Sequence, residues 1–247
     1  MSGEIRLIPL RGIPELREGD DLEAEVLRAA ARVGGFEDGD VLVVAQKVVS
    51  KVEGQVVALD EVEASDRARE LAADLDPRRT EVILREAKRI VRARAPLVIT
   101  ETRHGFVCAS AGVDSSNAGE PDTVVLLPRD PDASARRLRD RIRAASRIEV
   151  GVIVSDSFGR AWRKGTTDVA LGVSGLVPLL DLNGRRDSVG YELHATQIAI
   201  ADEIAGAAEL VMGKLDGIPA AIVRGVAING DGTGADLLMA PDRDLFR

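Results

Sequence analysis

The chain has 247 residues, 45% of them hydrophobic and 30% charged, the proportions of a globular protein long enough to bury a core. A net charge of −8 argues against nucleic acid as the main partner, and the single cysteine, Cys108, excludes an internal disulfide or a cysteine-based zinc centre. Aromatics make up only 2%, so the core has to be aliphatic, and no run of about 18 apolar residues or signal-peptide pattern appears, which points to the cytoplasm.

Residues 4–9, with Ile5 and Leu7, suggest a first strand, and Gly12 and Pro14 punctuate the turn after it. Asp20 and Asp21 precede a helix whose face is Leu22, Val26, Ala29 and Val33, stopped by Gly34 and Gly35. A turn at 38–40 leads into a buried strand over 41–45. The segment from Gln46 to Gly54 carries Lys47, Ser50 and Lys51 at the exit of that strand. It reads equally as a ligand-facing strand end or as an edge strand protected by lysines.

A charged helix is expected over 65–75, and Asp76-Pro77 has the N-cap and first-turn proline of another, with Ile83, Ala87, Ile90 and Val91 as its stripe. Residues 97–100 and 105–109 suggest a hairpin turning at Arg103-His104-Gly105. One histidine without a partner is a weak sign of metal, and Cys108 reads as a buried, inert thiol. Asp130-Pro131 opens a helix with Leu138, Ile142 and Ala145 inward. Residues 169–178 are too glycine-rich for a helix and read as a strand. A long helix is expected over 193–212, with His194 near its start and Gly213 as its stop, then a buried strand over 220–225 and a turn-rich acidic tail over 231–247. Strands spaced this unevenly favour α+β, with mixed sheets and packed helices, over a doubly wound fold.

Two polar clusters carry the chemistry. The first follows the apolar run 150–154 as Ser155-Asp156-Ser157-Phe158-Gly159-Arg160-Ala161-Trp162-Arg163-Lys164, read as a loop after a buried strand. An acid beside a hydroxyl suits a hard cation, and the arginines and lysine suit phosphate or carboxylate. The second is Gly112-Val113-Asp114-Ser115-Ser116-Asn117. Turn chemistry alone accounts for its residue types. Together, though, the two clusters could supply a magnesium or manganese site with positions left open for phosphate. There is no G-x-x-x-x-G-K-[ST] loop and no G-x-G-x-x-G fingerprint, so any nucleotide is held in another way.

These two clusters and Lys47-Val48-Val49-Ser50-Lys51-Val52-Glu53-Gly54 resemble, in order and spacing, the coenzyme F420-0:L-glutamate ligase family, and the likeness runs from Ile8-Pro9 to Val223-Arg224-Gly225. The resemblance implies GTP-dependent addition of L-glutamate to the deazaflavin precursor F420-0 through γ-glutamyl links, by way of an acyl phosphate. It implies a family-specific α+β fold over 1–247, as one ligase domain with two subdomains as an option and without the C-terminal nitroreductase-like domain of bifunctional relatives. It also implies an intertwined homodimer, Mg2+ or Mn2+ at up to two ions per site, and K+ as a further ion. Carried over by position, Ile13, Pro14, Glu15, Leu16, Gln46, Lys51, Asn117, Met212, Gly213 and Lys214 match nucleotide contacts. Asp114 and Asp156 match metal ligands and Ser157 a hydroxyl ligand of a second metal. Lys214 stands where some members have an acidic ligand, which leaves Asp216 as the nearest carboxylate to replace it. Lys51 and the Arg160/Arg163 pair are expected to offset negative charge on the phosphates or on the coenzyme's own carboxylate and phosphodiester, with Arg160 or Arg163 assigned to the transferring phosphoryl group. The rival readings are a metal-dependent phosphohydrolase on the same aspartates, which would release phosphate without glutamate, and a nucleotide-binding protein that makes no product.

Overall fold

A computed structural model describes residues 3–226 and 230–245 of the chain, so the last two residues of the expected acidic tail lie outside the described residues. In chain order the elements are β1 (Arg6–Pro9), α1 (Leu22–Ala31), β2 (Val41–Ala45), α2 (Gln46–Val52), β3 (Val56–Ala58), α3 (Asp66–Ala72) and α4 (Pro77–Glu86). They continue with β4 (Ala87–Arg94), β5 (Leu97–Thr102), β6 (Val107–Ala109), β7 (Thr123–Val125), α5 (Pro131–Ser146), β8 (Gly151–Arg160) and β9 (Arg163–Ser174). The last are β10 (Leu180–Asp181), β11 (Gln197–Ile198), α6 (Ile200–Met212) and β12 (Ala220–Arg224). The fold is α+β, with mixed sheets and packed helices.

Among the described residues the central sheet runs β1-β12-β2-β8-β9. Only β2 and β8 pair in parallel, in the register Val41↔Gly151 to Ala45↔Ser155. Both strands are buried on both faces, which is why they read as unbroken apolar runs. Alternation sorts their side chains: Leu42, Val44, Val152 and Val154 join one core with Val26 of α1 and Leu138 and Ile142 of α5. Val41, Val43 and Ile153 join the other, with Ile204, Ala205 and Ala208 of α6. The alanines let α6 lie close on the sheet. A separate cluster of Leu59, Val82, Ile83, Val113 and Val124 fastens α4 and the β3–β7 pair. Among the described residues, no helix is long and apolar enough to cross a membrane.

Four expectations need correcting. Residues 46–52 form a helix, not an edge strand, because Val48 and Val49 are drawn into the core and Gln46 bonds Ser50 one turn on. The helix opened by Asp76 ends at Glu86, and Ile90 and Val91 belong to β4, whose backbone is taken up by antiparallel pairing with β5. The polar stretch after Val154 is not a loop: β8 runs on to Arg160 and pairs with β9, so backbone bonds across the hairpin replace the missing apolar drive. Trp162 sits at its turn, 81% exposed. The long helix begins at Ile200 rather than 193. The residues before it are drawn into an extended arm, where Gln197 and Ile198 pair with Asp181 and Leu180 and His194 lies against the Tyr191 ring.

One ion pair closes the far end of the sheet. Asp40, 1% exposed just before β2, receives Arg224 Nε at 2.8 Å and Nη2 at 2.9 Å, and Arg224 also reaches Glu37 and the Gly35 carbonyl. Removing one partner of such a pair strands a buried charge. Arg224→Ala is therefore expected to lower unfolding stability by about 3 kcal/mol, read from the urea midpoint. An unchanged midpoint would show that the pair does not hold this end.

Candidate active site

The parallel register sets the C-terminal end of β2 beside Ser155, midway along β8, where the parallel pairing stops, and ligands of open sheets commonly sit at such strand ends. Two differently charged segments leave from that junction. From β2 the chain enters α2, which presents Lys47 and Lys51 one turn apart. From β8 it continues as Ser155, Asp156 and Ser157, opposite Ala170, Val169 and Asp168 of β9. Between them opens a cavity of about 710 Å³, large enough for a nucleotide. Ile13, Pro14, Glu15 and Leu16 form one wall, Asn117 and Gly119 another, and the end of α6 with the loop to β12 (Glu209, Met212, Gly213 and Lys214) a third.

Gln46 anchors the floor. It is 2% exposed and donates to Ser50 Oγ at 2.6 Å and to the Leu126 carbonyl at 2.7 Å, tying α2 to the chain after β7. Lys51 is paired with Glu15, and Lys47 Nζ lies 2.6 Å from Asp114 Oδ2 and 2.7 Å from Ser116 Oγ. Asp114 also accepts from the Ser116 amide at 2.7 Å. Burial alone would raise its carboxyl, but the Lys47 ammonium and the Ser116 bonds outweigh it and hold the group below the ordinary value.

Asp156 is in the opposite condition. Burial, with the charges of Asp168 and Asp114 added, pushes its carboxyl up to about 7 against the opposing pull of the Ser157 amide and Lys47. The carboxylate thus stands at the floor of the cavity short of positive charge. Beside it Asp168, 5% exposed, accepts from Ser157 Oγ at 2.6 Å and Ser155 Oγ at 3.0 Å. Because both hydroxyl protons point at Asp168, the serine lone pairs are left for a cation or a donor. Cys108 lies behind Asp156, and burial first and that charge second push its thiol up to about 12, as expected of an inert thiol.

All ten residues matched by position to nucleotide contacts line this one cavity. Asp156 and Ser157 line it too, while Asp114 stands behind Lys47, outside the lining but within electrostatic reach of Asp156. Arg160 and Arg163 do not line it: they are exposed at the end of the β8–β9 hairpin, where Arg160 Nη2 donates to the Lys164 carbonyl at 3.0 Å. Asp216 is exposed and also outside the lining, folded back against Gly213. His104 and His194 lie elsewhere. Asp168 and Glu209 line the cavity but escaped sequence reasoning, and Lys47 appeared there only as one of the polar groups at a strand exit. Asp168 pairs with Ser157 only through the hairpin register. Glu209 left one trace, a charge inside the apolar end of a helix.

Among the described residues no three Asp, Glu, His or Cys side chains converge as a ready ligand set for a metal ion. Magnesium, however, is commonly held by one or two carboxylates with substrate phosphates and water. Asp156, Ser155 and Ser157 all line the cavity and carry oxygen donors of that chemistry, and the unmet negative charge of Asp156 fits a divalent cation.

The F420-0:Gamma-glutamyl ligase family matches residues 12–225, a span containing every residue that lines the cavity. Among similar proteins, the coenzyme F420:L-glutamate ligase of Methanopyrus kandleri is 47% identical over 251 residues, covering 98% of each chain. That of Methanocaldococcus jannaschii is 44% identical over 253 residues and the full length of both, and that of Methanothermobacter thermautotrophicus 42% identical over 98% of this chain and 99% of its own. The chain belongs to the F420-0:gamma-glutamyl ligase family of enzymes.

Proposed function

We propose that this enzyme joins L-glutamate to F420-0 by an amide bond and continues through γ-glutamyl links, using GTP to activate the acceptor carboxylate as an acyl phosphate. The observation that carries the reading is the segregation of charge in the cavity, with lysines on α2 facing uncompensated carboxylates on β8 and β9. Amide formation from a carboxylate in water is uphill, so the carboxylate oxygen first attacks the γ-phosphorus and GDP leaves. The amine then attacks the acyl carbon, phosphate departs with the bonding pair, and the amine gives up a proton. Such chemistry asks the protein for positioning and charge neutralisation.

Residues 13–16, Asn117 and residues 212–214 are the proposed walls around the nucleotide. Lys47 and Lys51, which line the cavity, are assigned to offset phosphate charge in preference to Arg160 and Arg163, which do not line it. Lys51, released from Glu15, can reach a phosphate as a point charge. Asp156 with Ser157 would hold a Mg2+ or Mn2+ ion, Asp114 contributing through its charge; the ion would supply neutralisation of the terminal phosphates. A homodimer is part of the proposal: Leu180, Val189 and Tyr191 are exposed on the arm before α6, an apolar surface that a second copy would cover.

Mass spectrometry after incubation with F420-0, GTP, L-glutamate and Mn2+ should find the glutamylated product, with GTP consumed only when both other substrates are present. Phosphate release without glutamate would favour a hydrolase instead. Lys51→Ala should raise KM for GTP by about tenfold or more, the loss of one charge-assisted contact, whereas Arg160→Ala should leave it within about twofold. The reverse ranking would return the phosphate role to the hairpin.

Asp156 should also set a pH dependence in metal-free protein. Its carboxyl is raised from 3.8 to about 7, so the folded state keeps a proton that the unfolded state has lost. Stability from this group is complete below about pH 4 and falls as pH rises to about 7, then levels off. At pH 8 Asp156→Asn should thus be more stable than the unsubstituted protein, by an amount on the order of 2–4 kcal/mol, while losing ligation and any thermal shift on adding Mn2+. A variant less stable at pH 8 would contradict this.

A further inference from the structure

The acids lining the cavity are not equally free. Glu15 is paired with Lys51, and both oxygens of Asp168 are taken by serine hydroxyls. Asp156 accepts the Ser157 amide and lies in the field of Lys47, on the side assigned to phosphate. Glu209 differs: it lines the cavity from the last turn of α6, is half-buried, and its carboxylate engages no hydrogen bond or ion pair among the described residues. Its nearest charged influences are Asp168, which opposes its ionisation, and Lys214, which favours it without closing a salt bridge. Burial first, and Asp168 second, raise its carboxyl above the ordinary value. A half-buried carboxylate beside a second acid is unfavourable until a cation arrives.

Resting on the ligase reading above, we infer that Glu209 binds the α-ammonium of the incoming L-glutamate. The lysines of α2 occupy one side of the cavity and suit phosphate and carboxylate. Glu209 and Asp168 occupy another, next to the 212–214 wall of the nucleotide, and suit the cationic end that L-glutamate presents. The bound ammonium gives one proton to water, and the neutral amine so formed is held on the α6 side to attack the acyl group activated on the α2 side. Asp168 stays fixed by its two serines and acts as a background charge, and Glu209 makes the contact. The partner chemistry is a primary ammonium on an α-carbon, and an amine that carries no charge does not need Glu209.

The test separates these two kinds of amine. Glu209→Gln and Glu209→Asp are assayed with L-glutamate at saturating GTP and F420-0, and separately with hydroxylamine, which is neutral at pH 8 and traps an acyl phosphate as a hydroxamate. In Glu209→Gln, KM for L-glutamate should rise by about tenfold or more, the loss of one charge-assisted hydrogen bond, with KM for GTP and the hydroxamate rate within about twofold of the parent. Glu209→Asp should fall between. The Gln variant should melt no lower than the parent at pH 8, because it removes an ill-solvated charge; if it fails to fold, the Asp variant carries the same comparison. A glutamate KM within twofold of the parent overturns the inference. So does a parallel rise in the GTP KM, or an equal loss of hydroxamate. A parent enzyme that forms no glutamylated product would sink the ligase reading itself and the inference with it.

Discussion

The site depends on one backbone constraint, the parallel pairing of β2 with β8 in the register that sets Ala45 against Ser155. Because the two strands run the same way, the chain leaving β2 after Ala45 enters α2 beside the stretch of β8 that continues past Ser155 without a parallel partner. The start of α2 and the middle of β8 then share one crevice. One carries lysines and the other carboxylates, so the crevice is polarised before any ligand enters. Both apolar cores serve this register, because a slip by one residue would exchange Leu42 and Val44 with Val41 and Val43 between the faces.

Charge in the crevice is arranged to be incomplete. Lys47 and Asp114 satisfy each other, and Asp114 lies below its ordinary carboxyl value. Asp156 has no such partner, and Glu209 is likewise left without one. Burying carboxylates without counter-charge weakens the empty protein, which makes sense where the counter-charge comes with the substrates. The lysines can exchange their carboxylate partners for phosphate. Stability is given up at the few positions that have to bind, while the Asp40–Arg224 pair at the opposite end of the sheet is fully engaged.

Much of this was legible in the sequence, and the reasons differ by residue. The runs 41–45 and 150–154 announce themselves because strands buried on both faces have no polar positions. Asp21, Asp76 and Asp130 mark helix starts because their side chains accept from the first turn, as they do in the structure. The stretch 155–160 was misread as a loop because pairing across a hairpin depends on a partner, residues 163–174, that local composition does not reveal. The same blindness hid Asp168, whose role comes from lying opposite Ser157. Residues 46–52 were ambiguous because a seven-residue helix is too short to show a full period. Asp114 and Asp156 could be named from their neighbours, yet the lysine that acts on both came into view only with the fold. Arg160 and Arg163 read as phosphate or carboxylate partners from their chemistry, but local composition does not reveal that β8 extends by about 3.2–3.4 Å per residue to set them at the hairpin end, outside the cavity lining.

Backbone hydrogen–deuterium exchange, with and without GTP and Mn2+, tests most directly where the nucleotide sits. Slowed exchange should appear at residues 13–16, 45–52, 155–158 and 212–219, the segments meeting where β2 ends beside Ser155 of β8. The hairpin end at 160–164 should exchange as before. Protection confined to that hairpin, or no protection at the strand ends, would contradict the account.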